Sequence, residues 1–187
     1  MYNNSRPCLV TITLAGRIPL FGIQSLARIV LDTLSLMQDI GRLTIYAFVI
    51  MENRLYIIAD AENLEEEIRS FQSFTSRKII DALKEQNQLE ILKALEMAKP
   101  AGNENCKIQI WQEEVCSEKI ADVDIMQEKI EYIHYDPVRR GYVDEPADWR
   151  YSSARNYAGH HGLIEVDLVS VEPHNNNLNL LLDMSPK

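Results

Sequence analysis

Tyr132 and Asp136 stand four residues apart in a stretch whose apolar spacing predicts a helix, so both side chains share one helical face. A phenol can attack a phosphodiester directly and hold the strand as a covalent phosphotyrosine, splitting one hard step into two. Such an attack needs a polarised phosphate, commonly beside a metal ion, and a carboxylate is an oxygen ligand for one. By residue type alone, a single tyrosine on a helix reads as an amphipathic side chain that packs its ring and keeps its hydroxyl wet. Tyr135 reads as packing. His134 points off the Tyr132 face and reads as structural or exposed.

Cationic side chains fall into three groups: Arg69 with Arg77 and Lys78, Arg139 with Arg140, and Arg150 with Arg155. Phosphates need such cations, and unpaired bases stack on aromatics such as Tyr142 and Trp149. The whole chain opposes them, since 19 Lys and Arg face 28 Asp and Glu for a net charge of −9. That balance excludes a non-specific DNA coat but leaves room for a local basic patch. His160 and His161 sit in a Gly-flanked turn and read as solvent-facing. Three cysteines, Cys8, Cys106 and Cys116, are odd in number and lack metal-like spacing, which predicts reduced thiols.

The elements that must position these residues follow from periodicity. Cys8 to Leu14 is β-branched and apolar, a first strand. Apolar residues recur at helical spacing from Ile23 to Met37, with Gly41 as the stop. Leu43–Ile50 and Leu55–Ala59, joined by Glu52 and Asn53, predict a central hairpin. An acidic start at Glu62 predicts a helix to about Leu83, followed by a second over Gln86–Lys99. The segment 100–105 is a loop and Lys107–Trp111 a short strand. Asp124, with Gln127 three residues on, predicts a capped helix to Tyr135 that ends at Asp136-Pro137. Strand, helix, strand, strand, helix, strand, helix predicts an α+β, ferredoxin-like antiparallel sheet with helices mainly on one face. At 187 residues, 46% hydrophobic and 25% charged, the chain suits one globular domain, residues 1–170, and a tail, 171–187. No apolar run is long enough to span a bilayer and no signal peptide stands out, so a cytoplasmic location is the default expectation.

The segment Glu131-Tyr132-Ile133-His134-Tyr135-Asp136-Pro137-Val138-Arg139-Arg140-Gly141-Tyr142-Val143, followed by Asp148-Trp149-Arg150-Tyr151-Ser152-Ser153-Ala154-Arg155-Asn156-Tyr157, resembles the C-terminal signature of the HUH single-strand tyrosine transposases. Within them it is most similar to the REP-associated branch of the insertion-sequence-200-like family, from about Cys8 to about Val169. The resemblance implies a ferredoxin-like fold, Tyr132 at the nucleophile position and Asp136 where a polar side chain completes a metal shell. It also implies a substrate of single-stranded or hairpin DNA, contacted by Arg69, Arg77, Lys78, Arg139, Arg140, Arg150 and Arg155, and a homodimer. No membrane partner is implied.

The family binds its divalent ion through two histidines, two residues apart on the hairpin, so that both imidazoles project from one strand face. The lead-in Tyr46-Ala47-Phe48-Val49-Ile50-Met51-Glu52-Asn53 is similar to the family's, but Arg54 and Tyr56 stand where the histidines should. A guanidinium offers no lone pair and a neutral phenol is a poor ligand. No cofactor is therefore expected, and Mg or Mn only for an active site built from Glu52, Asn53 and Asp136. A guanidinium–carboxylate pair between Arg54 and Asp136 is expected to replace the ion. Three readings follow: a DNA-binding transposase-like domain with impaired cleavage, an active enzyme with atypical ligands, or an interaction domain without a DNA role.

Overall fold

The computed structural model describes residues 6–98 and 108–169. The elements run β1 (Cys8–Thr13), α1 (Gln24–Asp39), β2 (Thr44–Met51), β3 (Arg54–Asp60), α2 (Leu64–Glu85), α3 (Leu89–Met97), β4 (Cys116–Lys119), α4 (Val123–His134), α5 (Asp136–Arg139) and α6 (Ala154–Tyr157). The strands form one antiparallel sheet in the order β2-β3-β1-β4, the ferredoxin-like arrangement. No helix among the described residues is long and apolar enough to cross a membrane. The expected loop over 100–105, Cys106, His174 and the tail 171–187 lie outside the described residues.

The sheet is covered on both faces, which explains why β2 and β3 read as unbroken apolar runs rather than alternating ones. One face presents Val10, Ile12, Phe48, Ile50, Leu55 and Ile57 to α1, α2 and α3, where most of the helical mass lies. The other presents Leu9, Ala47, Val49, Tyr56 and Ile58 to Met126, Ile130 and Ile133 of α4. A register shift between Ile45 and Ala47 keeps each side of β2 aligned with its own core.

Local chemistry sets the ends. Gly41 adopts φ +72 just beyond α1, and Arg42 N–H returns to the Met37 carbonyl at 2.8 Å. Asn63 caps α2 by accepting from Glu66 N–H at 3.3 Å, ahead of three glutamates in the first turn. Asn87, at φ +53, separates α2 from α3.

Three expectations are corrected. The N-cap of α4 is Asp122, which accepts from Ile125 N–H at 2.9 Å; Asp124 lies inside the first turn. Asp136-Pro137 does not end the helical path, since Tyr135 stays helical and α5 carries on to Arg139. Arg140 N–H reaches the Asp136 carbonyl at 3.1 Å, and Gly141, at φ +73, makes the break. Pro137 sits at the start of that last turn, where a missing N–H costs least. The described part of Lys107–Trp111 contributes only a bridge between Trp111 and Leu14, and the edge strand is Cys116–Lys119. All four residues of β4 are exposed, so no apolar pattern announced it.

The segment 108–111 is instead fastened to α2. Buried Thr75 donates to the Phe71 carbonyl at 2.7 Å and accepts from Trp111 Nε1–H at 2.9 Å. The Trp111 ring packs between Phe21 and Phe71 at centroid distances of 5.6 and 5.9 Å. Thr75→Val keeps the shape and removes the acceptor, so it should destabilise the protein by about 1–3 kcal/mol in urea denaturation, with Thr75→Ser closer to wild type.

Candidate functional site

A groove of about 360 Å³ opens on the α4 side of the sheet. Its floor follows the strand register: Leu9 and Thr11 from β1, Arg54 and Tyr56 from β3, Cys116 and Glu118 from β4. Its wall is Glu128, Lys129 and Tyr132 of α4. Residues 54 and 56 share a strand face, and that face meets the helix carrying Tyr132. Tyr132, Arg54 and Tyr56 are therefore brought together.

Tyr132 is half exposed. Arg139 lies over its ring at 4.6 Å and donates to the Tyr132 carbonyl at 2.6 Å, which fixes the ring at the groove mouth. Lys129 and Glu118 close the far side with a 2.9 Å ion pair. The hydrogen bond to Glu118 is the main cause that raises the pKa of Lys129. Arg54 donates to Asn53 Oδ1 at 3.3 Å and to the Tyr56 hydroxyl at 3.1 Å.

The expected pairing of Arg54 with Asp136 is not what forms. The buried Asp136 carboxylate accepts from Arg140 Nε–H at 3.0 Å and from Arg139 Nη2–H at 3.5 Å. Helix geometry explains the choice: positions three and four residues on lie over the same face, and a local partner needs no chain closure. Arg140 also approaches Glu52 at 3.9 Å. Burial disfavours its charge, but Asp136, then Tyr56 and Glu52, outweigh that and raise its pKa. A cation does meet Asp136, and it comes from the helical turn that follows α4 rather than from the hairpin.

Glu52 is the residue whose weight the sequence understated. Its Oε1 accepts from the Tyr142 hydroxyl at 2.7 Å, while its Oε2 is buried without a partner. Tyr142 stacks on Trp149 at 5.5 Å, and Trp149 Nε1–H donates to the Ile50 carbonyl at 3.0 Å. The two aromatics singled out for base stacking thus stack on each other against the hairpin. Their spacing from Glu52 and Ile50, some 90 to 100 residues in sequence, carried no signal.

His134 is buried on the reverse side of α4 and anchors it. Its Nε2 lies 2.8 Å from Ser153 Oγ, which also accepts from Phe48 N–H at 2.9 Å and reaches the Phe48 carbonyl at 3.2 Å. One hydroxyl has one proton and two lone pairs, so the complete assignment has Ser153 donating to Phe48 and accepting from Nε2–H.

The remaining basic candidates are dispersed. Arg69 pairs with Glu65, and Lys78 lies over the Phe74 ring at 5.8 Å. With exposed Arg77 they belong to α2, and the sheet stands between them and Tyr132. Arg150 and Arg155 line a different cavity, with His161. His160 and His161 are exposed as expected. Cys8 is a buried free thiol and Cys116 an exposed one.

No protein-family model and no curated protein matches the chain. Solved structures do. A REP-associated tyrosine transposase bound to a REP hairpin superposes with a TM-score of 0.57 at 15% identity, over 92% of this chain and 93% of that one. A candidate transposase from Deinococcus radiodurans aligns over 71% of this chain and 91% of its own, at 13% identity and a TM-score of 0.43. The chain shares the fold of that REP-associated protein.

The resemblance in the sequence motifs implies a divalent ion beside Tyr132. The residues here do not suit one. Arg54 and Arg140 bring fixed positive charge to the place, Tyr56 is a neutral phenol, and Asp136 is already bound by guanidinium. Among the described residues no group of three or more His, Cys, Asp or Glu is poised around a common point.

Two measurements follow. Arg54→His with Tyr56→His should leave Mn²⁺ affinity near zero in calorimetric titration while Arg139 and Arg140 remain, and adding Arg139→Gln and Arg140→Gln should raise it roughly ten- to 100-fold by freeing Asp136. Burial holds the His134 imidazole at about 4, below its ordinary 6.5. The unfolded chain therefore takes up this proton first as pH falls. The stability it contributes is complete above pH 6.5 and declines towards pH 4, by on the order of 3 kcal/mol, in pH-dependent denaturation. His134→Gln should flatten that slope.

Proposed function

We propose that this protein is a transposase-like domain that binds folded single-stranded DNA and cuts it poorly or not at all. The observation that carries the reading is the Arg140–Asp136 pair, together with Arg54 bonded to Tyr56 in the groove, where a phosphate-activating ion would need donors. A phenol without an activated phosphate remains a weak nucleophile. Tyr132 keeps its place at the groove mouth, and Arg139 keeps its ring oriented, so the shape of the site persists while its chemistry changes.

Support for DNA as the partner comes from the fold shared with a protein bound to a REP hairpin. It also comes from Arg54 in the groove and Arg139 at its mouth, where a phosphate path would pass. The overall charge of −9 opposes long-range steering, so binding should depend on these local contacts and weaken with salt. A domain that recognises a hairpin without cutting it would mask the element from active enzymes.

The test is a labelled hairpin oligonucleotide with single-stranded flanks, incubated with the protein with and without Mg²⁺ or Mn²⁺. The expected outcome is a gel shift that weakens roughly 50-fold between about 50 and about 200 mM salt, as about four single-strand phosphate contacts require, with no covalent adduct. A covalent protein–DNA adduct that disappears in Tyr132→Phe would overturn the reading in favour of an active enzyme. Absence of any shift at low salt would overturn the DNA partner itself.

A further inference from the structure

Two left-handed residues stand in a row in the turn that leads from β1 to α1. Gly16 has φ +61 and Arg17 φ +54. Glycine takes such a conformation freely, but for a long side chain it is an outlier. The other non-glycine residue with positive φ among those described is Asn87, a type that tolerates it. Backbone held in this way persists where its surroundings over-determine it, and such places gather at functional sites.

The surroundings of this turn do over-determine it. Leu14 N–H reaches the Asn53 carbonyl at 2.9 Å and Phe21 N–H the Glu52 carbonyl at 3.0 Å, so the segment is pinned at both ends to the tip of the β2–β3 hairpin. Ala15 N–H bonds the Ile110 carbonyl at 2.8 Å, and Arg17 N–H the Leu14 carbonyl at 3.0 Å. A Cβ at Gly16 would stand 2.6 Å from the Ala98 side chain just past α3, so position 16 needs glycine for packing as well as for its dihedral angle. Position 17 has no such packing demand, since Arg17 is exposed. The fold alone would be served as well, and with less strain, by a second glycine.

What adjoins Arg17 is the candidate site. Asn53 Nδ2–H donates to the Arg17 carbonyl at 3.4 Å, while Asn53 Oδ1 accepts from Arg54 Nε–H at 3.3 Å. One asparagine side chain therefore separates the Arg17 backbone from a guanidinium that lines the groove beside Tyr132. Acids outnumber bases by 28 to 19 in this chain, yet neither Arg17 nor Arg54 joins an ion pair among the described residues. Two guanidinium forks rooted in series, without carboxylate partners, suit successive phosphates of one strand. Arg17 stands alone in the sequence between Gly16 and Ile18, so no cluster of charge marked it.

We propose that Arg17 is a strand-binding residue, whose guanidinium takes a phosphate of the single-stranded flank as the strand leaves the groove past Arg54. The left-handed turn is kept because it roots that side chain at the hairpin tip. The assignment rests on the DNA reading above and adds to it a contact on the β1–α1 turn.

Arg17→Gly separates the fold's interest from the strand's, because it relieves the turn and removes the cation together. Hairpin affinity is measured by fluorescence anisotropy between about 50 and about 200 mM salt, with thermal unfolding alongside. Arg17→Gly should raise Tm by about 2–4 °C and make the slope of log affinity against log salt shallower by about 0.7, the share of one single-strand phosphate. Arg17→Asn, which tolerates the left-handed conformation without charge, should give the same shallower slope, and Arg17→Lys should keep the wild-type slope. On a blunt hairpin without flanks, wild type and Arg17→Gly should bind alike. A wild-type slope in both Arg17→Gly and Arg17→Asn, with the hairpin still bound, overturns the assignment and leaves the DNA reading standing. A deficit that persists on the blunt hairpin overturns the flank as the ligand. A wild-type protein that binds no hairpin at low salt overturns the DNA reading, and this contact with it.

Discussion

One hydroxyl carries more of this structure than its size suggests. Ser153 Oγ joins β2 through Phe48, α4 through His134, and the segment that returns along the sheet edge. Buried polar groups are costly unless matched, and here the Ser153 hydroxyl is matched on every side. It fixes the rotation of α4 about its axis, because His134 can reach Ser153 only with the opposite side of the helix turned outward. Tyr132 is on that outward side. The position of the phenol at the groove it shares with Arg54 and Tyr56 is thus a consequence of where a histidine two residues later is buried.

The electrostatics of the site follow from the same helix. Asp136 is buried, and a buried carboxylate requires partners. It finds them in Arg139 and Arg140, both local in sequence. Arg139 then turns to the Tyr132 ring and carbonyl, while Arg140 reaches the hairpin at Glu52. A short helical turn thereby links the phenol, the carboxylate and the tip of the β2–β3 hairpin in one charged chain of contacts. Glu52 completes it by holding Tyr142, whose ring rests on Trp149.

Much of this was legible in residue order. The hairpin, the two long helices and the ferredoxin-like sheet follow from apolar periodicity and from Gly41 as a stop. Arg54, Tyr56 and Tyr132 converge because strand and helix periods place them on facing surfaces. What escaped has physical causes. β4 is exposed at all four positions and stays a strand only by pairing with β1, so no local pattern marks it. Asp136-Pro137 looked like a terminus, but the turn beyond it is stabilised by hydrogen bonds from Arg139 and Arg140 to residues before the proline. The Arg54–Asp136 pair failed because a nearer guanidinium competes without the entropy of closing a long loop. His134 was ambiguous because its partner, Ser153, is set by tertiary docking.

The sheet also divides the molecule into compartments. Arg77 and Lys78 stand above one surface and Tyr132 above the other, with two layers of packed side chains between them. A polyanion that touched both at once would have to double back around the margin at β4, where the short ribbon offers only four residues of obstruction. A stiff, straight polymer has no such path; a bent one with two limbs does. Contour alone therefore decides which polymers could touch both surfaces at once.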